Sequence, residues 1–399
     1  MNKSTVENSL WSVQFSTIIV MTLSFFVAVM LLTAGFPAHI TAVTKNPALG
    51  GLMTTVFMIT AIITRPVVGF MIAKVNLKVL NIFALAFLAI TVGLSYGEIS
   101  VNMLLGLRVL HGIAFGILST CMATMATSII PAKRLGEGIG FYGLSTSGGT
   151  SFAPMIALAI LQYFSYNVLV ATSVTLLIVT LGLNLTIKPE KKAPAAPTST
   201  EIKEKISFMQ YAFDKRALLP CILILCFSLT LAGVISFMKQ LSATAGLEAT
   251  APLFFLVMAV VMMVCKVFAG FIYDRMGHKV IIYPATVAGM IALFLISTAT
   301  SAATLLAAGF LYGITYGFLI PPLQTLAVSS VEKKKQGTAN AMYFTFMDLG
   351  MAFGAALLGI LAGMYGYRFI YSFSIGLLVI LVVLYTFTLG MKARKEGQK

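Results

Sequence analysis

The sequence predicts an all-α integral membrane protein with twelve transmembrane helices, arranged as two pseudo-symmetric six-helix bundles. Three observations predict it: the scarcity of charge, the sorting of cations between loops, and an internal repeat. Of 399 residues, 59% are apolar and 10% are charged, and the mean hydropathy is +0.98. A soluble domain carries about 25% charged residues, so this chain could not cover a water-facing surface. Twelve spans of about 20 residues would use about 240 residues. That leaves short loops and one longer linker, with no room for a fused soluble domain.

Hydropathy, bounded by charges and turn residues, places the spans in order. The first six are 13–36, 49–72, 78–96, 101–129, 136–161 and 166–187. The second six are 217–238, 250–273, 279–299, 302–330, 336–363 and 368–391. The N-terminal bundle is thus 1–187 and the C-terminal bundle 217–399, joined by a linker over 188–216. The linker begins as the Pro/Ala/Lys-rich run KPEKKAPAAPTST, which reads as flexible. Ile202, Ile206, Met209 and Phe213 then follow at helical spacing. They suit either an amphipathic helix on the membrane face or a plain tether. The first apolar stretch exceeds the length of a signal-peptide core and reads as a retained span, with Trp11 at its start as a belt residue.

The 27 Lys and Arg residues sort sharply: 21 fall on the side of the termini, three on the other side, and three inside spans. The positive-inside rule then puts both termini in the cytoplasm. Topology explains the net charge of +15, and no nucleic-acid partner is needed. Cys121, Cys221, Cys226 and Cys265 lie in apolar stretches without zinc-type spacing and read as packing residues. No metal site or cofactor is expected. No phosphate-binding G-x-x-x-x-G-K-[ST] loop occurs, so ATP hydrolysis is not the expected energy source.

The second half aligns with the first at a constant offset of 201 residues. GFMIAKVNLKV from Gly69 falls on GFIYDRMGHKV from Gly270, and Arg65 falls on Lys266. Gly112, Gly116, Gly136 and Gly149 fall on Gly313, Gly317, Gly337 and Gly350. Two parallel repeats of six spans are the signature of a transporter whose site lies between its halves.

On these motifs the chain resembles the major facilitator superfamily. The loop Gly270-Phe-Ile-Tyr-Asp274-Arg275-Met-Gly277-His-Lys279 is similar to that family's G-x-x-x-D-R-x-G-x-K gating loop. The first copy keeps Gly69, Lys74 and Lys78 but has Ala73 for the aspartate and Asn76 for the glycine. Arg108-Val-Leu-His111-Gly112 resembles the R-x-x-Q-G element of proton-driven exporters, with His111 in the glutamine position. Gly140, Gly149, Ala153 and Pro154 resemble a degraded form of the antiporter motif G-x8-G-x3-G-P-x2-G-G. Arg65-Pro66-x-x-Gly69 and Met347-Asp348-Leu349-Gly350 are similar to opine-metallophore and arabinose-efflux-like exporters. The resemblance implies the major facilitator fold and proton-coupled export of a small organic molecule, with spans one, four, seven and ten lining a cavity.

Charges inside spans carry the chemistry. Of twelve acids, only Asp348 lies deep, about 12 residues into its span. A central charge is expensive in hydrocarbon, so it reads as a protonatable site, with a structural Asp–Arg pair as the competing reading. Proton coupling is assigned to Asp348, Arg108 and Arg65, and a pairing of Arg65 with Asp348 is expected. The substrate cavity is assigned to Arg108, His111, Phe115, Tyr312, Tyr316 and Gln324, of which His111 and the tyrosines could equally be packing residues.

The leading expectation is proton-coupled efflux by antiport of small organic molecules or drugs, by a monomer using alternating access. The alternative within transport is a narrow exporter of an opine-type metallophore or sugar. An intramembrane enzyme is disfavoured because His39, His111 and His278 are scattered with no acid cluster. A fixed channel is disfavoured by the six-plus-six repeat.

Overall fold

The computed structural model describes residues 10–97, 100–187 and 213–390, apart from the side chains at 47, 48, 73, 74, 389 and 390. Among them are twelve long helices and no strand. The first six are α1 (Val13–Thr44), α2 (Pro47–Lys74), α3 (Leu77–Gly93), α4 (Val101–Ile129), α5 (Leu135–Tyr163) and α6 (Tyr166–Thr186). The second six are α7 (Leu218–Thr244), α8 (Ala251–Met276), α9 (Lys279–Ser297), α10 (Ala302–Ser329), α11 (Gln336–Tyr365) and α12 (Tyr367–Tyr385). Eleven are long and apolar enough to cross a membrane, and α3 is a shorter apolar helix. At 17 residues α3 sits at the short end of the spanning range. The amphipathic segment 202–209 and the side chain of Lys74 lie outside the described residues.

The helix starts follow local chemistry. Ser12, Asn76, Ser100, Ser165 and Ser301 each hold an extended backbone and accept a first-turn N–H with the side chain. Two expected ends were too early. α1 continues through Pro37 to Thr44, and α7 passes Lys239 to Thr244. A proline removes one helix hydrogen bond, but Ile40 beyond it is buried and keeps the helix packed.

The chain forms two compact units. One comprises Met1–Pro131, Ser145–Lys215 and Val331–Met342; the other comprises Ala132–Leu144, Arg216–Ser330 and Tyr343–Lys399. This division differs from the expected 1–187 and 217–399, because the first turns of α5 and α11 each belong to the unit formed mainly by the other half. In the first unit α4 packs on α2 and α3, and α6 packs on α1 and α3. In the second, α10 packs on α8 and α9, and α12 packs on α7 and α9. The same pairs recur six helices later, as the repeat requires.

Glycines set these contacts. A Cβ on Gly112 or Gly116 of α4 would lie 2.5 and 3.0 Å from the Phe57 and Ala61 carbonyls of α2. One on Gly313 or Gly317 of α10 would lie 2.8 and 2.7 Å from the Met258 and Met262 carbonyls of α8. Both glycine pairs and both acceptor pairs, Phe57/Met258 and Ala61/Met262, are 201 residues apart. In an apolar environment close backbone approach, rather than hydrophobic collapse, holds helices together.

Candidate functional site

Within the first unit, Arg108 and His111 of α4 are both 1% exposed. The guanidinium lies over the Phe36 ring of α1, 4.1 Å from its centroid, and 5.3 Å from that of Phe57 on α2. Its Nη2 donates to the Leu32 carbonyl. The His111 ring is 6.0 Å from Phe36, and Phe36 is 5.6 Å from Tyr166 of α6. Tyr166 in turn stacks on His39 at 4.0 Å. Phe115, one turn below His111, stacks with Phe25 at 5.9 Å and meets Phe57 at 5.2 Å. Arg65 reaches the other side of Phe115, with Cζ 5.7 Å from the ring, and donates to Ser119 at 3.2 Å.

The second unit repeats part of this pattern with tyrosine chemistry. Lys266 of α8 holds Nζ 5.0 Å from the Tyr316 ring of α10 and donates to the Gly143 carbonyl at 3.4 Å. Phe227 of α7 lies 5.9 Å from Tyr316 and stacks on Tyr312 at 6.1 Å. The Tyr312 hydroxyl shares a 2.8 Å hydrogen bond with Thr230. Arg65–Phe115 and Lys266–Tyr316 are therefore one cation–π pair, copied at the 201-residue offset. Gln324 is buried in α10, and Asp348 is half-buried in α11.

A second constellation occupies the helix ends. Asp274, in the last turn of α8, accepts the backbone N–H groups of Gly136 and Glu137 at 2.8 Å each. These are orphan donors of the first turn of α5, so the carboxylate serves as an N-cap supplied by another helix. The positive end of the α5 dipole adds to the attraction. Arg134 grips Glu137 with two hydrogen bonds, 2.6 and 2.5 Å. Gly270 and Gly136 face each other, and a Cβ on Gly270 would lie 2.6 Å from the Glu137 Cα.

Gly277 ends α8 with φ +78° and ψ 175°, a conformation open essentially to glycine alone. Its match, Asn76, sits at φ −65° and caps α3 instead, accepting from Lys78 N–H at 2.9 Å. Next to Gly277, His278 Nδ1 and the Tyr385 hydroxyl lie 2.5 Å apart. Burial, and then the Lys279 charge, hold this imidazole below the usual histidine range. Arg275 is exposed and Lys279 half-buried, while Gly69 is buried in α2. In α5, a Cβ on Gly140 would lie 2.6 Å from the Lys266 carbonyl, and one on Gly149 2.5 Å from the Phe26 Cβ. Ala153 is buried and Pro154 lies within the helix.

The model of the Major Facilitator Superfamily matches residues 17–355 and 267–399. The chain belongs to the major facilitator superfamily. It is therefore a membrane transporter and not an enzyme. The chain is 22% identical to the staphylopine export protein of Staphylococcus aureus, over 94% of this chain and 95% of that one. It is 24% identical to the multi-drug resistance efflux pump PmrA of Streptococcus pneumoniae, over 80% and 81% of the two chains. Among solved structures it superposes on the human organic anion transporter MFSD10 with a TM-score of 0.77, at 14% identity, covering 93% and 98%. The Escherichia coli fucose:proton symporter FucP follows with a TM-score of 0.71, at 13% identity, covering 92% and 97%. These superpositions establish the superfamily's fold for this chain.

Sequence reasoning missed Phe36, Phe57, Tyr166 and Phe227, because an aromatic in an apolar span looks like any other packing residue. Glu137 could have been found, since Arg134 precedes it by three residues, a spacing that lets helical side chains meet.

Proposed function

We propose that the chain is a proton-coupled exporter of small organic molecules across the bacterial cytoplasmic membrane, working as a monomer by alternating access. Both termini lie in the cytoplasm, and proton movement into the cell drives substrate out. The observation that carries this reading is the duplicated crossing of helix ends. The start of α5 meets the end of α8, and the start of α11 meets the end of α2, as Gly136 against Tyr273 and Gly337 against Ile72. Paired contacts of this kind, at one end of each span, can part and reform together while the helix cores stay packed. Relatives named as an export protein and an efflux pump support the outward direction.

Asp348 carries the proton in this reading, and Arg65 and Arg108 are the other two charges assigned to coupling. It is the one acid deep in a span, and such groups mark ion and proton pathways. Each proton moving inward contributes roughly 2.3 kcal/mol per 100 mV. A narrower reading, export of an opine-type metallophore, is favoured by the relative that matches nearly end to end.

Reconstituted protein under an imposed pH gradient tests the coupling. Asp348→Asn should abolish gradient-driven accumulation while leaving substrate exchange, and Asp348→Glu should keep partial coupled transport. An Asn variant that concentrates substrate at the wild-type rate would make Asp348 structural.

A further inference from the structure

Arg108 differs in kind from the other two cations inside the helices. Arg65 donates to Ser119, and Lys266 donates to the Gly143 carbonyl. Arg108 is 1% exposed and hydrogen-bonds only the Leu32 carbonyl, through Nη2. Its Nε and Nη1 meet no acceptor among the described residues, and no acid there pairs with it. One turn along α4, neither nitrogen of the buried His111 ring is hydrogen-bonded, although the Thr91 backbone lies close to it. The faces of Phe36 and Phe57 offset part of the lost hydration. They cannot satisfy N–H groups, and a buried cation without a counter-ion is unstable by itself.

We infer that Arg108 receives the carboxylate of the transported molecule, which makes the substrate class an amphipathic organic anion. The inference rests on the export reading above. The Nε–H and Nη1 hydrogens bind the carboxylate oxygens, and His111 supplies a further donor from the same helix face. The apolar body of the substrate lies on Phe36, Phe57 and Phe115. A single cation suits a monoanion, whereas a phosphate dianion would leave net negative charge in an apolar interior. Inorganic anions such as chloride have no apolar body for the three rings to hold. The matching position in the second half is Gly309, packed against Phe254, so the repeat does not copy this receptor.

The test uses the purified full-length protein in detergent, in chloride-free isethionate buffer. 4-Phenylbutyrate should raise the thermal unfolding midpoint saturably, and its uncharged amide should not. Arg108→Lys should weaken the response at least about tenfold, because an ammonium cannot reproduce the guanidinium fork. Arg108→Gln should abolish it; because that variant can fail to fold, His111→Gln, with a weakened response, keeps the test decisive. Equal protection by the amide, or no protection by the carboxylate, overturns the inference. So does equal, Arg108-dependent protection by chloride, which would leave an inorganic anion site. Gradient-driven export of ethidium, read as its accumulation inside everted vesicles, tests the export proposal separately. Ethidium export without phenylbutyrate binding would sink the anion class and leave the exporter standing. Arg108-dependent binding with no gradient-driven transport of either probe would do the reverse.

Discussion

The two places where a helix start crosses a helix end are built on one plan and finished differently. At both, a three-residue 3₁₀ turn leads into the helix, Ala132–Arg134 before α5 and Lys333–Lys335 before α11. At both, a glycine of the first turn approaches the crossing helix, Gly136 at Tyr273 and Gly337 at Ile72. Only the first has a carboxylate in place, because Asp274 caps α5 while its match in the sequence is Ala73. The cations differ too. Arg134 is bound by Glu137, three residues further along the chain in the first turn of α5, whereas Lys335 is bound by Asp214, 3.2 Å away at the end of the linker. Duplication thus supplied the steric frame twice, and the charges were then distributed unequally over it.

The steric frame should matter most. A side chain on Gly270 would drive into the Gly136–Glu137 backbone, which cannot rotate away. On Gly337 the nearest atom is the Ile72 Cγ2 at 2.5 Å, the tip of a side chain that can shift. Overpacking costs about 1–3 kcal/mol, and 1.4 kcal/mol is about tenfold. Gly270→Val should therefore reduce transport about tenfold or more at equal membrane abundance. Gly337→Ala should lose much less, and Ile72→Ala should restore it. Equal losses at both sites would mean that the two crossings are mechanically equivalent after all.

The cap should come next. Asp274→Ala leaves two first-turn N–H groups of α5 without an acceptor, whereas Asp274→Asn keeps one acceptor oxygen, loses the charge and turns an amide NH2 toward the second N–H. A capping side chain contributes about 0.5–2 kcal/mol, so the Ala variant should lose several-fold in transport rate and the Asn variant less. Ala73→Ser should change nothing measurable. Ala73→Asp sharpens the comparison, because it supplies a carboxylate at the place matching Asp274. It should stabilise the α11 crossing and slow turnover if that contact must open in each cycle. Transport that is indifferent to Asp274→Ala would remove the cap from the mechanism.

How far this could be read from the sequence follows the same division. The repeat offset, the buried cations and the Asp274 motif were legible, because glycines and charges are rare in apolar helices and stand out. The offset also paired Arg65 with Lys266 before any contact was known, and both lie over the aromatic at matching places on α4 and α10. What stayed hidden is what covers each charge. Phe36 and Phe57 come from helices over 50 residues away from Arg108, in runs where aromatics carry no periodic signal. The exchange of residues 132–144 and 331–342 between the compact units was equally invisible. A repeat says which residues are equivalent, and says nothing of which copy each one touches.

The linker contact should have the smallest effect. Lys335 is 38% exposed at its side chain while the Asp214 carboxylate is nearly buried. Pairs with one solvated partner contribute about 0–1 kcal/mol. The Asp214 backbone N–H also points to Met342 Sδ at 3.1 Å, so the end of the linker is held to α11 by more than charge. Asp214→Asn and Lys335→Gln should each slow transport by less than about fivefold, and more at low salt than at high salt. The double variant should be no worse than either single one, since both remove the same pair. Exchanging the charges, with Asp214→Lys and Lys335→Asp together, should recover part of the rate. Losses that add in the double variant, and a charge exchange that restores nothing, would show that Lys335 acts apart from Asp214. The two crossings would then differ only in the cap on α5, and the linker would be a plain tether.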